Sequence, residues 1–349
     1  MTHEKVQSRN RKTSIYAIAG LLLIVATLLI AGYTWVTRTS PLQPPGPLEQ
    51  VTIAVSNGYA GPCSIFAAQE KGYFVSEGVQ VAIQPHVSGK AALDATLQGR
   101  AHLGTVADVP IMFAVMNNQP VSVIATIFTA EKNHGIVARK DKGVDTPANL
   151  RGKRIGVTLG TSGHFFLDVF LNRHNLSANE VKILAVEPGE MSTILMRGDI
   201  DAVATWEPFL SALLPPLGGN STIFHGKDVY DSVFTIAGTQ KYVVSHPETV
   251  KKVLRAVVRG GRFCKDTPDR AREIVAKAIK TDAVKLKALW PSYRFNVTLD
   301  QGLLLALEDE TRWAVKNKLT GRIDMPNYLN HVFLDGLEVV APTAVTVIH

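Results

Sequence analysis

Ala95-Thr-Leu-Gln-Gly-Arg-Ala-His-Leu-Gly-Thr-Val-Ala-Asp-Val-Pro110 and Ile194-Leu-Met-Arg-Gly-Asp-Ile-Asp-Ala-Val-Ala-Thr-Trp-Glu-Pro208 follow one scheme, with their glycines Gly99 and Gly198 standing 99 positions apart. In each, an amphipathic run halts at a glycine, the residue that most easily adopts the left-handed stop of a helix. A short apolar strand follows and runs into a small or aromatic residue and a carboxylate. In open α/β sheets, ligands sit beyond the carboxyl ends of the strands. Two such strand ends predict two similar lobes facing one ligand.

The same alternation extends on both sides. Val51–Val55, Val79–Ile83, Ala101–Val106 and Val121–Thr129 read as strands, with helical runs at Ile65–Gln69, Ser88–Gln98 and Pro110–Asn117 between them. A second set follows: strands at Gly135–Arg139, Gly152–Val157, Val181–Val186 and Ala202–Thr205, with a helix from His164 to His174. Strands alternating with helices imply parallel sheets with helical cover. From His246 onward the pattern is helical; Trp290 and Trp313 fall in this region, and neither is expected to sense a ligand.

The chain has 349 residues and a net charge of +7. Residues 1–12 alone carry a net +3, from Lys5, Arg9, Arg11 and Lys12 against Glu4. The rest is only mildly basic, so a nucleic-acid partner is not expected. No charged residue occurs between Lys12 and Arg38. Ile15–Val36 is long enough to cross the roughly 30 Å hydrocarbon core as a helix. Tyr16, Tyr33 and Trp35 sit near its ends, where aromatic rings favour the interface. A cleaved signal peptide is the alternative, but no small-x-small cleavage site follows. The expected organisation is a cytoplasmic tail over 1–14, a transmembrane anchor over 15–36, and a spacer over 37–50. That spacer holds Pro41, Pro44, Pro45 and Pro47 and is semi-rigid for that reason. The body is then exported and attached to the plasma membrane through one helix.

Cys63 and Cys264 could pair in an exported chain, but their spacing leaves the question open. No cysteine pair is spaced for zinc, and His134, His164, His174 and His225 make no metal-ligand pattern. No cofactor motif is present: no lysine follows a glycine loop in the phosphate-binding pattern. Gly160-Thr-Ser-Gly-His164 lacks the spacing of a nucleophile elbow. An enzyme is not expected.

Thr161, Ser162 and Gly163 lie between a strand and a helix. Their N–H groups and hydroxyls suit an anion at a positive helix terminus, or simple capping of that helix. Ser56, Asn57 and Tyr59 hold the matching place in the first lobe. Thr105 and Asp108 end the strand of the first copy; Asp108 could instead cap the next helix. Trp206 offers a flat wall and one donor, or core packing. Glu207 could bind a cation or brace a hinge. Two carboxylates in one cleft would favour a zwitterion, or a ring bearing amines, over a simple inorganic anion.

Several stretches then coincide in order: Gly58-Tyr-Ala-Gly-Pro62, Ala67-Ala-Gln-Glu-Lys-Gly-Tyr-Phe74, Leu97-Gln-Gly-Arg-Ala-His-Leu-Gly104, Leu150-Arg-Gly-Lys-Arg-Ile-Gly-Val157, Gly160-Thr-Ser-Gly163 and Ala204-Thr-Trp-Glu-Pro208. Together they resemble the periplasmic substrate-binding proteins of the nitrate/sulfonate/taurine ABC importers, from about Val51 to the C-terminus. The resemblance implies a two-lobed type II periplasmic binding protein fold, here preceded by one transmembrane helix. It implies a first lobe of 51–133 and 235–349, a second lobe of 134–234, and a small sulfonate, taurine-like or nitrate-like ligand between them. The implied partners are an ABC permease and its ATPase. The family's usual members are freely exported or lipid-anchored, so the anchor also admits a membrane-tethered sensing ectodomain. The resemblance extends at fold level to pyrimidine-precursor synthases, whose cysteine-rich metal motif two distant cysteines cannot supply; a pyrimidine-precursor-binding relative is the other alternative it implies.

Overall fold

The computed structural model describes residues 47–226 and 229–348. The expected tail and the anchor at Ile15–Val36 therefore lie outside the described residues, as does most of the spacer. No helix among the described residues is long and apolar enough to cross a membrane.

Two sheets form the body. Strands β1 (Glu49–Ser56), β2 (Val79–His86), β3 (Leu103–Ala107) and β4 (Val121–Ala130) come first, then β5 (His134–Arg139), β6 (Arg154–Val157), β7 (Lys182–Ala185), β8 (Ala202–Trp206) and β9 (Ser221–His225). β10 (Ser232–Thr239) and the short β11 (Tyr293–Arg294) complete the set. The first sheet has the order β11-β4-β10-β3-β1-β2 and the second β7-β6-β8-β5-β9. Within the first, β1 pairs in parallel with β2 and β3, while β10 runs antiparallel between β3 and β4. Within the second, β6 is parallel to β7 and β8, and β5 is antiparallel to β8 and β9. The first sheet thus has a parallel set crossed by the antiparallel β10 and edged by the antiparallel β11, and the second a parallel set crossed by the antiparallel β5.

The chain crosses from the first lobe to the second at residues 131–133, and β10 brings it back, starting at Ser232. The return strand is apolar and fully inserted: Ile236 and Ala237 are wholly buried. Each lobe keeps its own core. The first is built on Ile53, Ile111, Ile124 and Phe128, with the C-terminal helices packed on it. The second has one core on each face of its sheet, around Phe166 and Leu167 and around Leu195 and Leu210.

Cys63 and Cys264 form a disulfide, 201 positions apart in sequence, with their Cα atoms 6.2 Å apart. It ties the helix Cys63–Glu70 to the long helix Pro247–Asp266. The second of these is amphipathic, burying Val250, Val253, Leu254 and Val257 against the first lobe.

Candidate functional site

A cleft lies between the two sheets where β1, β3 and β8 end. Ser56, Tyr59, Ala107, Ser88 to Lys90, Ser232 and Phe234 line it from the first lobe. His134, Thr161, Ser162 and Trp206 line it from the second, with Asn133 in the crossover between them.

The helix Ser162–Arg173 begins at this cleft. Thr161 precedes it with extended backbone, but its hydroxyl does not cap the helix; it donates to the Thr158 carbonyl at 2.6 Å. The free N–H groups of the first turn are therefore not consumed by a side-chain cap. A helix terminus of this kind carries about half a positive charge and suits an anion. Ser162 Oγ lies 2.9 Å from His134 Nε2. His134 is buried, and burial alone pushes it down to about 3, so the ring is neutral. Its Nδ1 has no partner, and neither has Asn133 Oδ1. The Tyr59 hydroxyl, beside Ser56, is also without a partner of hydrogen-bond geometry. Burial holds that hydroxyl well above the ordinary tyrosine range, so it stays protonated. Unpaired buried polar atoms cost about 1–3 kcal/mol each unless water or a ligand satisfies them. The three residues that carry them, Tyr59, Asn133 and His134, line one cleft.

The first lobe supplies a second helix start. Ser88 precedes the helix Gly89–Leu97 and accepts from the Ala91 N–H at 3.2 Å. Lys90 is a cation on the cleft wall, and it pairs with Asp94 at 3.1 Å across an exposed turn.

Of the residues singled out in the sequence, Ser56, Tyr59, Thr161, Ser162 and Trp206 line the cleft. The others stand off it. Asn57 builds the turn: its Oδ1 accepts from the Gly58 N–H and its N–H donates to the His86 carbonyl, both at 2.9 Å. Thr105 is fully buried and its hydroxyl accepts from the Ser56 N–H at 2.9 Å, holding that residue in place. Gly163 faces Trp206: a Cβ there would come within 3.2 Å of two indole atoms. It makes room for the ring and lies behind it. Trp206 itself is 7% exposed, packed edge-on to Phe209.

Both carboxylates turn away from the cleft. Asp108 is fully buried and accepts from the Tyr230 hydroxyl and from the N–H groups of Val233 (3.2 Å) and Val109 (2.9 Å). Burial pushes it up to about 6. Glu310 neighbours it; burial, and then the Asp108 charge, hold the Glu310 carboxyl well above the ordinary carboxylate range. Asp108 therefore fastens the return crossover, through Tyr230 and Val233, to the end of β3. Glu207 accepts from the N–H (3.2 Å) and hydroxyl (2.9 Å) of Ser211 and faces a different cavity. No carboxylate lines the cleft among the described residues. That removes the reason for preferring a zwitterion there.

Ser88, Gly89, Lys90, Asn133, His134, Ser232 and Phe234 were not singled out in the sequence. Ser88-Gly89 carried the same signal as Thr161-Ser162, a hydroxyl between strand and helix. Lys90 comes with them on the same helix start, and the other four become neighbours of the cleft only when the two crossovers lie side by side.

Comparison with known proteins agrees with this architecture. A family model described as NMT1/THI5 like matches residues 62–271. A Bacillus subtilis (strain 168) protein named for binding aliphatic sulfonates is 24% identical over 295 residues, which is 82% of this chain and 87% of its own length. The 4-amino-5-hydroxymethyl-2-methylpyrimidine phosphate synthase of Aspergillus parasiticus is 26% identical over 301 residues, 79% of this chain and 85% of its own. Among solved structures, the alkanesulfonate-binding protein SsuA of Xanthomonas axonopodis pv. citri, bound to MOPS, superposes with a TM-score of 0.71 at 18% identity, covering 82% of this chain and 99% of its own. That likeness establishes the two-lobed α/β periplasmic-binding-protein fold.

Proposed function

The chain belongs to the NMT1/THI5-like family, and from that premise we propose that it is the extracytoplasmic solute-binding component of an ABC importer, taking a small sulfonate, taurine-like or nitrate-like ligand between its lobes by its anionic group. The observation that carries this reading is the composition of the cleft. It has a helix start whose N–H groups no side chain caps, the hydroxyls of Ser56, Ser162 and Ser232, the cation Lys90, and no carboxylate. Such a wall attracts a compact anion. Trp206, Tyr59 and Phe234 supply apolar surface for the organic part of a sulfonate. The Bacillus subtilis and Xanthomonas proteins named for sulfonate binding support the same ligand class. Delivery requires a permease and an ATPase, which are the proposed partners.

The disulfide between Cys63 and Cys264 supports export, since such bonds persist in oxidising compartments. Because the uncharged stretch Ile15–Val36 follows a basic tail, we place the protein at the plasma membrane with its body outside. A tethered sensing ectodomain is the second reading, and it rests on that stretch. Sequencing the N-terminus of the mature chain checks the anchor; a chain starting beyond Ala31 rules it out.

A thermal-shift screen with alkanesulfonates, taurine, nitrate and pyrimidines tests the ligand class. A true ligand raises the midpoint because it binds only the folded state. Calorimetry on Ser162→Ala then tests the helix start. Loss of one hydrogen bond to a charged acceptor costs about 1.5–3 kcal/mol, roughly ten- to a hundredfold in affinity. Unchanged affinity would reject Ser162 as a ligand contact. A midpoint raised only by pyrimidines would favour the relationship with the synthase over that with the sulfonate binders.

A further inference from the structure

Successive side chains leaving a strand point to opposite sides. At the end of β8, Trp206 turns into the cleft and Glu207 turns into a second cavity between the lobes. Its walls are Tyr59, Leu286 and Tyr293 from the first lobe and Ala212 from the second, and Tyr59 is the side chain that separates it from the anion cleft.

Glu207 is 3% exposed, and its polar partners are the N–H and hydroxyl of Ser211, both neutral. No cationic side chain pairs with it among the described residues. Lys285 stands on the rim of the cavity, exposed to solvent, where its charge is screened. A buried carboxylate without a counter-ion is costly, so it either holds a proton or receives a cation. The surroundings favour the second. Tyr59 and Tyr293 present rings, which attract an ammonium over their faces. Burial keeps both tyrosines protonated, so they add no charge of their own. A lone metal ion is excluded by the donor set: one carboxylate in an apolar wall does not offer the six to eight oxygens a calcium ion takes.

We propose that this second inter-lobe cavity binds a small apolar amine, alkyl or arylalkyl, with its ammonium paired to Glu207 and its hydrocarbon part against Leu286 and the tyrosine rings. The site is distinct from the anion cleft and does not depend on it. It touches both lobes, so its occupant biases the arrangement of the lobes by whatever contacts it makes in one arrangement and not the other.

Phenethylammonium chloride and its uncharged match, phenethyl alcohol, are titrated calorimetrically into the full-length protein, with thermal shift as a second readout. The amine binds and raises the midpoint; the alcohol binds at least about tenfold more weakly, the loss expected when a desolvated ion pair and its cation–π contact are missing. Glu207→Gln keeps an acceptor for Ser211 and weakens the amine by a similar factor. Ala212→Trp plugs the cavity from an exposed position: it abolishes amine binding and leaves the response to alkanesulfonates intact, and it carries the test alone where Glu207→Gln does not fold. Equal binding of amine and alcohol, absence of any amine response, or full amine affinity in both variants overturns the proposal. An amine response without any anion response leaves this site standing and removes the anion reading instead.

Discussion

His164 shows what burial does to a single group. It lies in the first turn of the helix Ser162–Arg173 and packs edge-on to Trp313, with ring centroids 5.0 Å apart. Burial pushes it from 6.5 down to about 4. In the unfolded chain the ring takes its proton near 6.5; in the fold it does so only near 4. Between those values the unfolded state binds more protons, so stability rises with pH. The contribution is present above about 6.5 and is lost as pH falls toward 4, by at most about 1.4 kcal/mol per pH unit. Asp108 acts in the opposite direction. Its folded value of about 6 lies above the ordinary 3.8, so it favours the fold on acidification across that window. The two partly cancel in the whole protein, and the difference between variants separates them. His164→Gln should flatten the fall in urea-unfolding stability between about pH 6.5 and 4 relative to the wild type. Parallel curves would remove His164 from the account. At this scale the sequence was legible where local order decides the role. Thr161 and Ser162 stand between a strand and a helix, and nothing distant is needed to place them. Asp108 and Glu207 were legible as carboxylates at strand ends. The side to which each turns depends on Tyr230 and Glu310 in one case and on Ser211 and the second cavity in the other.

Helices Cys63–Glu70 and Pro247–Asp266 cross at closest approach where Gly260 meets Ser64. A Cβ on Gly260 would lie 2.0 Å from the Ser64 carbonyl oxygen and 3.2 Å from the Ala68 nitrogen. Two effects compete at such a position. Alanine is the better helix former by about 1 kcal/mol. Overpacking a rigid backbone contact costs about 1–3 kcal/mol or more, and the partner here is main chain, which cannot rotate away. The contact wins. Gly260→Ala should lower the urea midpoint although it raises helix propensity; a raised midpoint would show that the helices can slide apart freely. The disulfide pins the same pair of helices four residues on, at Cys264. The amphipathic pattern of the long helix is readable along the chain, and the alternation of strands and helices that precedes it is equally so. The reason for its glycine is not, because the atom that forbids a side chain belongs to a residue nearly two hundred positions earlier. The insertion of β10 between β3 and β4 is hidden for the same reason.

Over the whole molecule, the lobes touch through aromatic side chains as well as through the crossovers. Trp313, in the first lobe's helix Gln301–Lys316, packs on His164 and on Phe165 (5.2 Å) of the second lobe, and Phe113 meets it from its own side at 6.0 Å. The sequence placed Trp313 among helices remote from the ligand; the fold makes it an inter-lobe contact. Closure around a ligand, the usual motion of two-lobed binders, therefore moves two indoles into new surroundings, Trp206 and Trp313. Ligand binding should change tryptophan emission, Trp206→Phe should remove part of that change, and Trp313→Phe should remove another part. If the change is complete in Trp313→Phe and absent in Trp206→Phe, the contact through Trp313 is not broken during opening. A radius of gyration that stays constant on saturation would argue against closure altogether.

The sequence by itself determined the lobe-forming units: their periods of two and of three to four residues, their glycine stops and their strand-end hydroxyls are local properties of the chain. Its short motifs in a fixed order also carried the resemblance to sulfonate- and taurine-binding proteins, while the family shown is the NMT1/THI5-like one. Only the tertiary structure decided which strand-end residues share the cleft, that both carboxylates leave it, that Cys63 meets Cys264, and that a second cavity opens behind Trp206. The physical reason is common to all four. Each depends on which distant backbone lies within a few ångströms, and that is settled by the packing of two whole sheets, not by the propensity of any one segment.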